Sequence, residues 1–157
     1  MEEEKAGNLA EVMRDLRWHY RDDRDMAQAV IEALMREVSR QKLEVMRCLQ
    51  SLDLMHHDIN PPNIMLNRCS IHWIRGQPIA ECEVIVVDFG LCALVDPICG
   101  ADNMGGMDGN MAPEVEQEEI LDYKADMFGF GQTVGCMVTD RVLPQGDRET
   151  LQLLDYL

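Results

Sequence analysis

The chain has 157 residues, of which 46% are apolar, and a formal net charge of -15. That length favours one domain with a single core. The negative charge argues against nonspecific binding to nucleic acid or to an anionic membrane, because either would need a basic patch. The acidic start is unlike a signal peptide, and no stretch approaches the roughly 20 apolar residues of a membrane span. We therefore expect a cytoplasmic or nuclear protein.

Two helices are predicted in the first third of the chain. Residues 7–13 indicate a short one, and Asp22 and Asp23 offer N-cap oxygens to a long one. An amphipathic helix with a purely structural role fits this pattern as well as a helix placed before a functional loop. Its apolar residues recur every three to four positions, namely Ile31, Leu34, Met35, Val38, Val45, Met46, Leu49 and Leu52.

A loop is predicted after this helix. Pro61 and Pro62 each lack an amide hydrogen and push the preceding residue toward extended geometry, which excludes regular helix there. The polar residues on either side, Asp58 and Asn63, must therefore lie on a loop.

Two strands are predicted next, at residues 64–66 and 82–87. If they pair, Asn63 at the start of one and Asp88 at the end of the other become neighbours, and Asp58 faces the same point. Such hard oxygen ligands suit Mg²⁺, with phosphate and water completing the octahedron.

The connection between these strands, residues 67–81, is long. Polar and apolar side chains alternate over residues 70–74, and residues 75–78 predict a turn. We expect a hairpin extension at the surface. Trp73 could contact a partner protein there, although the favoured interpretation is an extension that only packs on the protein's own surface.

The six cysteines are scattered and form no Cys-x-x-Cys pair. A zinc site built from Cys69, His72 and Cys82 is conceivable, but the spacing matches no common ligand pattern, so free thiols are favoured.

Further on, residues 123–138 are apolar nearly all round, which indicates a buried helix. Its three glycines would each cost about 1 kcal/mol against alanine unless neighbouring backbone packs closely against them.

Four short motifs follow one another along the chain. They are His-His-Asp-Ile-Asn-Pro-Pro-Asn at 56–63, Asp-Phe-Gly at 88–90, Met-Ala-Pro-Glu at 111–114 and Asp-Met-Phe-Gly-Phe-Gly at 126–131. The first three resemble the catalytic loop, the metal-binding loop and the end of the activation segment of the protein kinases, in the family's order. Because each motif is short, the shared order carries the resemblance.

The resemblance implies an α+β, mainly helical fold: a kinase-like C-terminal lobe with a short β-hairpin that carries the metal-binding loops. Residues 1–157 would form a single partial kinase domain, from about the hinge to the helix after the activation segment. The family's Gly-rich strand-turn-strand, its strand lysine and its helix glutamate have no counterpart before His56, which indicates that the small lobe is missing. The family's last helices are also expected to be missing, because the sequence stops at Leu157.

The resemblance also implies site residues. Asp58 takes the place of the catalytic aspartate, and Asn63 and Asp88 take the places that bind Mg²⁺ and, through it, ATP. The implied structural residues are His56, Phe89, Gly90, Glu114 and Asp126, the last as a cap on the loop backbone.

Three departures concern activity and its control. Position 57 is histidine where many kinases have arginine, and no serine, threonine or tyrosine lies between Asp88 and Glu114, so we predict no phosphorylation of that segment. Asn60 stands where serine/threonine kinases usually have lysine.

Two functions remain open. The first is a protein kinase, of the serine/threonine type favoured by Pro61 and the loop pattern, acting on a protein substrate with ATP and Mg²⁺. The second is a noncatalytic, kinase-like binding module (a pseudokinase). A small-molecule phosphotransferase shares the loop pattern but would not be expected to carry the other motifs. The charge predicts no nucleic-acid or membrane partner and leaves room for a partner protein.

Overall fold

A computed structural model describes residues 7–94, 112–113 and 123–139. These residues combine α-helices and β-strands in an α+β fold, with single turns of 3₁₀ helix at Pro61–Asn63 and Phe89–Leu91. In chain order the main elements are α1 (Leu9–His19), α2 (Arg24–Ser51), β1 (Leu54–Met55), β2 (Ile64–Ile74), β3 (Gln77–Val86), β4 (Ala93–Leu94) and α3 (Lys124–Thr139). None of the described helices is both long and apolar enough to cross a membrane.

The chain divides into two compact units. The first consists of Met1–Val45 and Pro61–Val87, and the second of Met46–Asn60 and Asp88–Leu157. Each has its own buried apolar side chains. Those of the first unit include Leu9, Val30, Leu34, Val38, Ile64, Leu66, Val84 and Val86, and those of the second include Met55, Ile59, Phe130, Val134 and Met137.

Both predicted N-terminal helices are present. α1 is longer than predicted and begins with a capping box, in which Asn8 Oδ1 accepts from the Glu11 amide (3.0 Å) and Glu11 Oε2 accepts from the Asn8 amide (3.1 Å). α2 begins after Asp23, whose Oδ1 accepts from the amide of Met26 (3.0 Å). The Asp23 cap confirms the predicted start of the long helix, because it satisfies a main-chain donor that has no partner within the helix.

The apolar stripe of α2 is confirmed for most of its length. Ile31, Leu34, Val38 and Leu49 are buried. Leu52 was predicted on the same face but is 58% exposed. The helix ends at Ser51, so the helical spacing no longer applies at Leu52.

β2 and β3 form one antiparallel hairpin, which contains the two strands predicted at 64–66 and 82–87 and the hairpin extension predicted between them. The predicted turn is confirmed: Arg75 and Gly76 connect the strands with φ of 52° and 79°, as in two-residue turns that match strand twist. The strands contain 11 and 10 residues. The connection 67–81 is thus mostly strand, interrupted only by a register shift between Asn67 and Ser70.

Gln41 of α2 covers the free edge of the hairpin. Its Nε2 donates to the carbonyl of Cys82 (2.6 Å), and its Oε1 accepts from the amide of Val84 (3.0 Å). One side chain therefore satisfies two main-chain groups that no further strand of the described residues pairs with, which protects an otherwise open edge.

In the second unit, α3 is buried along most of its length, as its apolar sequence predicted. Gly129 is one of the three glycines of this helix, and neighbouring backbone lies close to it. A Cβ at this position would lie 2.9 Å from the carbonyl oxygen of Ile59. The expected close backbone packing is therefore present at Gly129.

Candidate active site

A short polar loop, residues 56–60, follows β1 in the second unit. β1 pairs antiparallel with β4, with Leu54 opposite Leu94 and Met55 opposite Ala93. This pairing holds the start of the loop beside the segment that follows the Asp-Phe-Gly motif.

Asp126, in the first turn of α3, holds the backbone of this loop. Its Oδ2 accepts from the amide of His56 and its Oδ1 from the amide of His57, both at 2.8 Å. Asp126 is only 5% exposed, and burying a carboxylate is costly unless hydrogen bonds compensate. Hydrogen bonds to an ionised acceptor are the strong ones, so this Asp126 clamp fixes the loop at two consecutive residues.

His56 is the buried residue at the start of the loop. It is fully buried, and its ring centroid lies 4.8 Å from that of Phe89. Its Nδ1 accepts a hydrogen bond from the amide of Asp58 (3.3 Å). His56 therefore links the loop to the aromatic residue of the Asp-Phe-Gly motif, within the second unit.

Asp58 is half-buried, and Asn60 holds its side chain. Asn60 Nδ2 donates to Asp58 Oδ1 at 2.7 Å, and Asn60 itself is fully buried. Sequence reasoning recorded Asn60 only as a departure from the usual lysine and missed this contact. The available signal was the spacing, because asparagine and aspartate side chains often bond groups two residues away.

His57, whose amide is held by the clamp, is half-buried. Its backbone has a φ of 64°, an uncommon conformation for a residue other than glycine, and the bond from its amide to Asp126 supports this conformation. Burial lowers the pKa of His57 below its ordinary value; the nearby Asp126 charge opposes this shift and His56 adds to it. Among the described residues, no hydrogen-bond partner meets Nε2 of His57.

Asp88 opens the 3₁₀ turn Phe89–Leu91. It is exposed, has a φ of 63°, and accepts a hydrogen bond from the amide of Gly90 at 3.3 Å. A Cβ at Gly90 would lie 3.1 Å from Asp88 Oδ1, which is tighter than ordinary contact. Glycine at this position leaves room for the Asp88 carboxylate.

The predicted site residues are divided between the two units. Asn63 is half-buried and ends the 3₁₀ turn of the first unit, where its carbonyl accepts from the amide of Val87 (2.9 Å). His56, Asp58, Phe89 and Asp126 belong to the second unit. Glu114 lies outside the described residues, as do residues 95–111 of the segment predicted to lack phosphorylation.

The conceivable zinc site is not formed. His72 Nε2 bonds Ser70 Oγ (3.0 Å) and pairs with Glu81 (3.4 Å). A hydrogen bond with Cys69, together with burial, raises the pKa of the Cys82 thiol. Among the described residues no three His, Cys, Asp or Glu side chains are grouped to hold a metal. The five cysteines in the described part of the chain are free thiols, as predicted.

Comparison with known proteins identifies the family. The protein kinase domain family matches residues 2–155, and the chain therefore belongs to the protein kinase family. It is 29% identical over 133 residues to the serine/threonine-protein kinase/endoribonuclease ire-1 of Caenorhabditis elegans, covering 81% of the chain and 13% of that protein. It is 34% identical over 92 residues to the death-associated protein kinase dapk-1 of the same organism, covering 59% of the chain and 6% of that protein.

Other relatives and a solved structure agree with this family. The serine/threonine-protein kinase ATG1c of Arabidopsis thaliana is 26% identical over 128 residues, covering 82% of the chain and 16% of that protein. The chain thus spans a small part of each of these relatives. The crystal structure of the kinase domain of PF14_0431 has a similar fold, with a TM-score of 0.66 and 21% identity over 97% of this chain and 46% of that one.

Proposed function

We propose that the chain is the part of a protein kinase domain that carries the catalytic loop. In this proposal it acts in Mg²⁺-dependent transfer of the γ-phosphate of ATP to a serine or threonine hydroxyl of a protein. The observation that carries the proposal is the Asp126 clamp, in which one buried carboxylate accepts from the amides of both His56 and His57. The clamp orders the residues immediately before Asp58.

Asp58 is the proposed catalytic residue. Phosphoryl transfer depends mainly on positioning, and an aspartate in the kinase catalytic loop orients the incoming hydroxyl and accepts its proton. A half-buried carboxylate fixed through one oxygen by Asn60 suits this role, because its orientation is set before the substrate arrives. Asn60 acts through Asp58 and is therefore a positioning residue.

Asp88 and Asn63 are the proposed ligands of Mg²⁺. This ion prefers hard oxygen ligands and is usually held by one or two carboxylates together with water and substrate phosphates. The exposed carboxylate of Asp88 has this chemistry, and the kinase resemblance implies the amide oxygen of Asn63 as the second ligand. The bound ion would neutralise charge on the phosphates of ATP. A cage made only of protein ligands is therefore not expected.

The serine/threonine type rests on two observations. The relatives named above include serine/threonine-protein kinases, and Pro61 follows the loop as in that type.

A binding module without phosphate transfer is the second candidate. The observation that favours it is the helical character of α1 and α2, since residues 7–51 form no Gly-rich hairpin over phosphates. On this hypothesis the clamp would stabilise a platform for a partner protein, and nucleotide would bind weakly or not at all.

Titration of the purified chain with ATP in the presence of Mg²⁺ separates the two candidates. We expect measurable binding that weakens at least tenfold in Asp88→Asn, because one carboxylate charge on the ion is lost. Asp15→Asn is the matched control, since Asp15 is an exposed carboxylate on α1 that pairs with neighbouring Arg14. It should bind as the unsubstituted chain does. Equal, negligible binding by all three proteins would favour the binding module.

A further inference from the structure

A cleft of about 510 Å³ lies beside the tip of the hairpin, within the first unit. Trp73 and Pro78 form one wall, and side chains from the N-terminal half of α2 form the other. The volume falls within the range of about 300–1,000 Å³ that is typical of binding pockets. We refer to this feature as the Trp73 cleft.

The hairpin register explains the apolar wall. Trp73 lies opposite Pro78, and Ile71 lies opposite Ala80. Because alternate residues of a strand point to the same face, these four side chains share one face. Ala80 is buried on it, whereas Trp73, nearer the turn, is 47% exposed. A half-exposed indole in a cleft provides a rigid apolar surface with a polar edge, as at many protein recognition sites.

The opposite wall is acidic. It carries three carboxylates, those of Asp23, Asp25 and Glu32, and one guanidinium, that of Arg36. Arg36 is 3.7 Å from Glu32, and Asp23 caps α2. In the part of the chain that the structure describes, Asp25 takes part in no ion pair. A cleft lined mainly by charge of one sign concentrates the field and attracts ligands of the opposite sign.

We propose that the Trp73 cleft docks a short basic segment of a partner protein in extended form. A lysine or arginine of that segment would lie over the indole of Trp73 with its charge toward Asp25, and an apolar neighbour would contact Pro78. Cations are attracted to the face of an indole, most strongly where solvent is partly excluded. The proposal goes beyond phosphate transfer, because neither Trp73 nor Asp25 belongs to the catalytic loop.

The chemistry of the walls favours a peptide over other ligands. A nucleic acid or a free phosphate would meet excess negative charge, and a metal ion alone would leave the indole unused. A segment that alternates basic and apolar side chains matches both walls at once.

Fluorescence anisotropy of a labelled peptide that alternates arginine and leucine tests the proposal. We expect saturable binding that weakens about tenfold in Trp73→Ala and several-fold in Asp25→Asn. Melting temperatures of both variants should stay near that of the unsubstituted chain, and Asp25→Asn keeps the test valid if Trp73→Ala unfolds.

Two variants and two ligands serve as controls. Ile79→Ala lies on the outward face of the hairpin, where Ile79 is 41% exposed, and Asp22→Asn removes a neighbouring charge outside the cleft lining. Neither should change binding, and a glutamate–leucine peptide and a single-stranded oligonucleotide should not bind. The proposal is wrong if Trp73→Ala and Asp25→Asn bind as tightly as the unsubstituted chain, if Asp22→Asn weakens binding as much as Asp25→Asn, or if either control ligand competes.

Discussion

The side-chain amide of the fully buried Asn60 donates a 2.7 Å hydrogen bond to the carboxylate of Asp58. Asn60 stands where many serine/threonine kinases have a lysine. In this chain the position holds a neutral donor, whose bond fixes one oxygen of the Asp58 carboxylate. The clamp by Asp126 and the Asn60 bond then fix the loop from both sides of Asp58.

Replacing Asn60 with alanine should reduce phosphate transfer more than nucleotide affinity. A hydrogen bond to a charged group contributes about 1.5–3 kcal/mol, so we expect kcat to fall by roughly tenfold or more, with KM for ATP little changed. Asn67→Ala is the control, because Asn67 bonds Glu83 on the hairpin at 2.8 Å, away from the loop. A rise in KM at constant kcat would show that Asn60 does not position Asp58.

Gly129→Ala should destabilise the protein although alanine favours helix. The gain in helix propensity is about 1 kcal/mol, but the new Cβ would lie 2.9 Å from the carbonyl oxygen of Ile59. Backbone cannot move aside cheaply, and overpacking of this kind costs about 1–3 kcal/mol. Urea unfolding measures the difference. Met127→Ala, on the same helix and 46% exposed in the parent, should change stability by less than about 0.5 kcal/mol. A stabilised Gly129→Ala variant would contradict the packing described.

Gln41→Ala should cost more than Gln28→Ala, although both residues lie on α2. Gln41 satisfies the carbonyl of Cys82 and the amide of Val84, whereas the exposed Gln28 bonds another side chain, that of Glu32. Each main-chain group left unsatisfied costs about 1–3 kcal/mol. Thermal unfolding of the two variants gives the comparison. Equal melting temperatures would mean that water replaces the Gln41 contacts without loss.

Stability should fall as the pH drops below 6.5, partly because of His57. Burial lowers the pKa of His57 in the folded chain below its ordinary value of 6.5. Between these two values the unfolded chain binds the proton and the folded chain does not, so the free energy of unfolding decreases with falling pH. His57→Asn removes this titration while tolerating the left-handed backbone. Unfolding curves between pH 7.5 and pH 5.5 should therefore show a smaller loss for the variant, and parallel pH profiles would contradict the assignment.

Local patterns predicted the helices better than the hairpin. The three-to-four-residue spacing of Ile31, Leu34 and Val38 and the cap at Asp23 were enough to locate α2. The alternation at 70–74 predicted the outer part of β2, but as a strand separate from residues 64–66, because the register shift after Asn67 breaks the alternation between them.

The contacts of the site depend on residues far apart in the chain. Asp126 and His56 are 70 positions apart, and only the family resemblance suggested that they meet. Nothing in the sequence indicated that Trp73 would share a cleft with the first turns of α2, because that arrangement depends on how the hairpin packs. The Asn60 bond to Asp58 was within reach of sequence reasoning and was overlooked.

Phosphate transfer by the Asp58→Asn variant decides whether Asp58 is the catalytic residue. The assay uses γ-labelled ATP, Mg²⁺ and a serine/threonine peptide mixture, and it is performed on the longest form of the protein that carries this chain. General-base catalysis contributes about 10²–10⁴-fold, so we expect at least a hundredfold loss of transfer, with ATP binding retained. Transfer by Asp58→Asn at the rate of the unsubstituted protein would contradict the assignment of Asp58 as the catalytic residue.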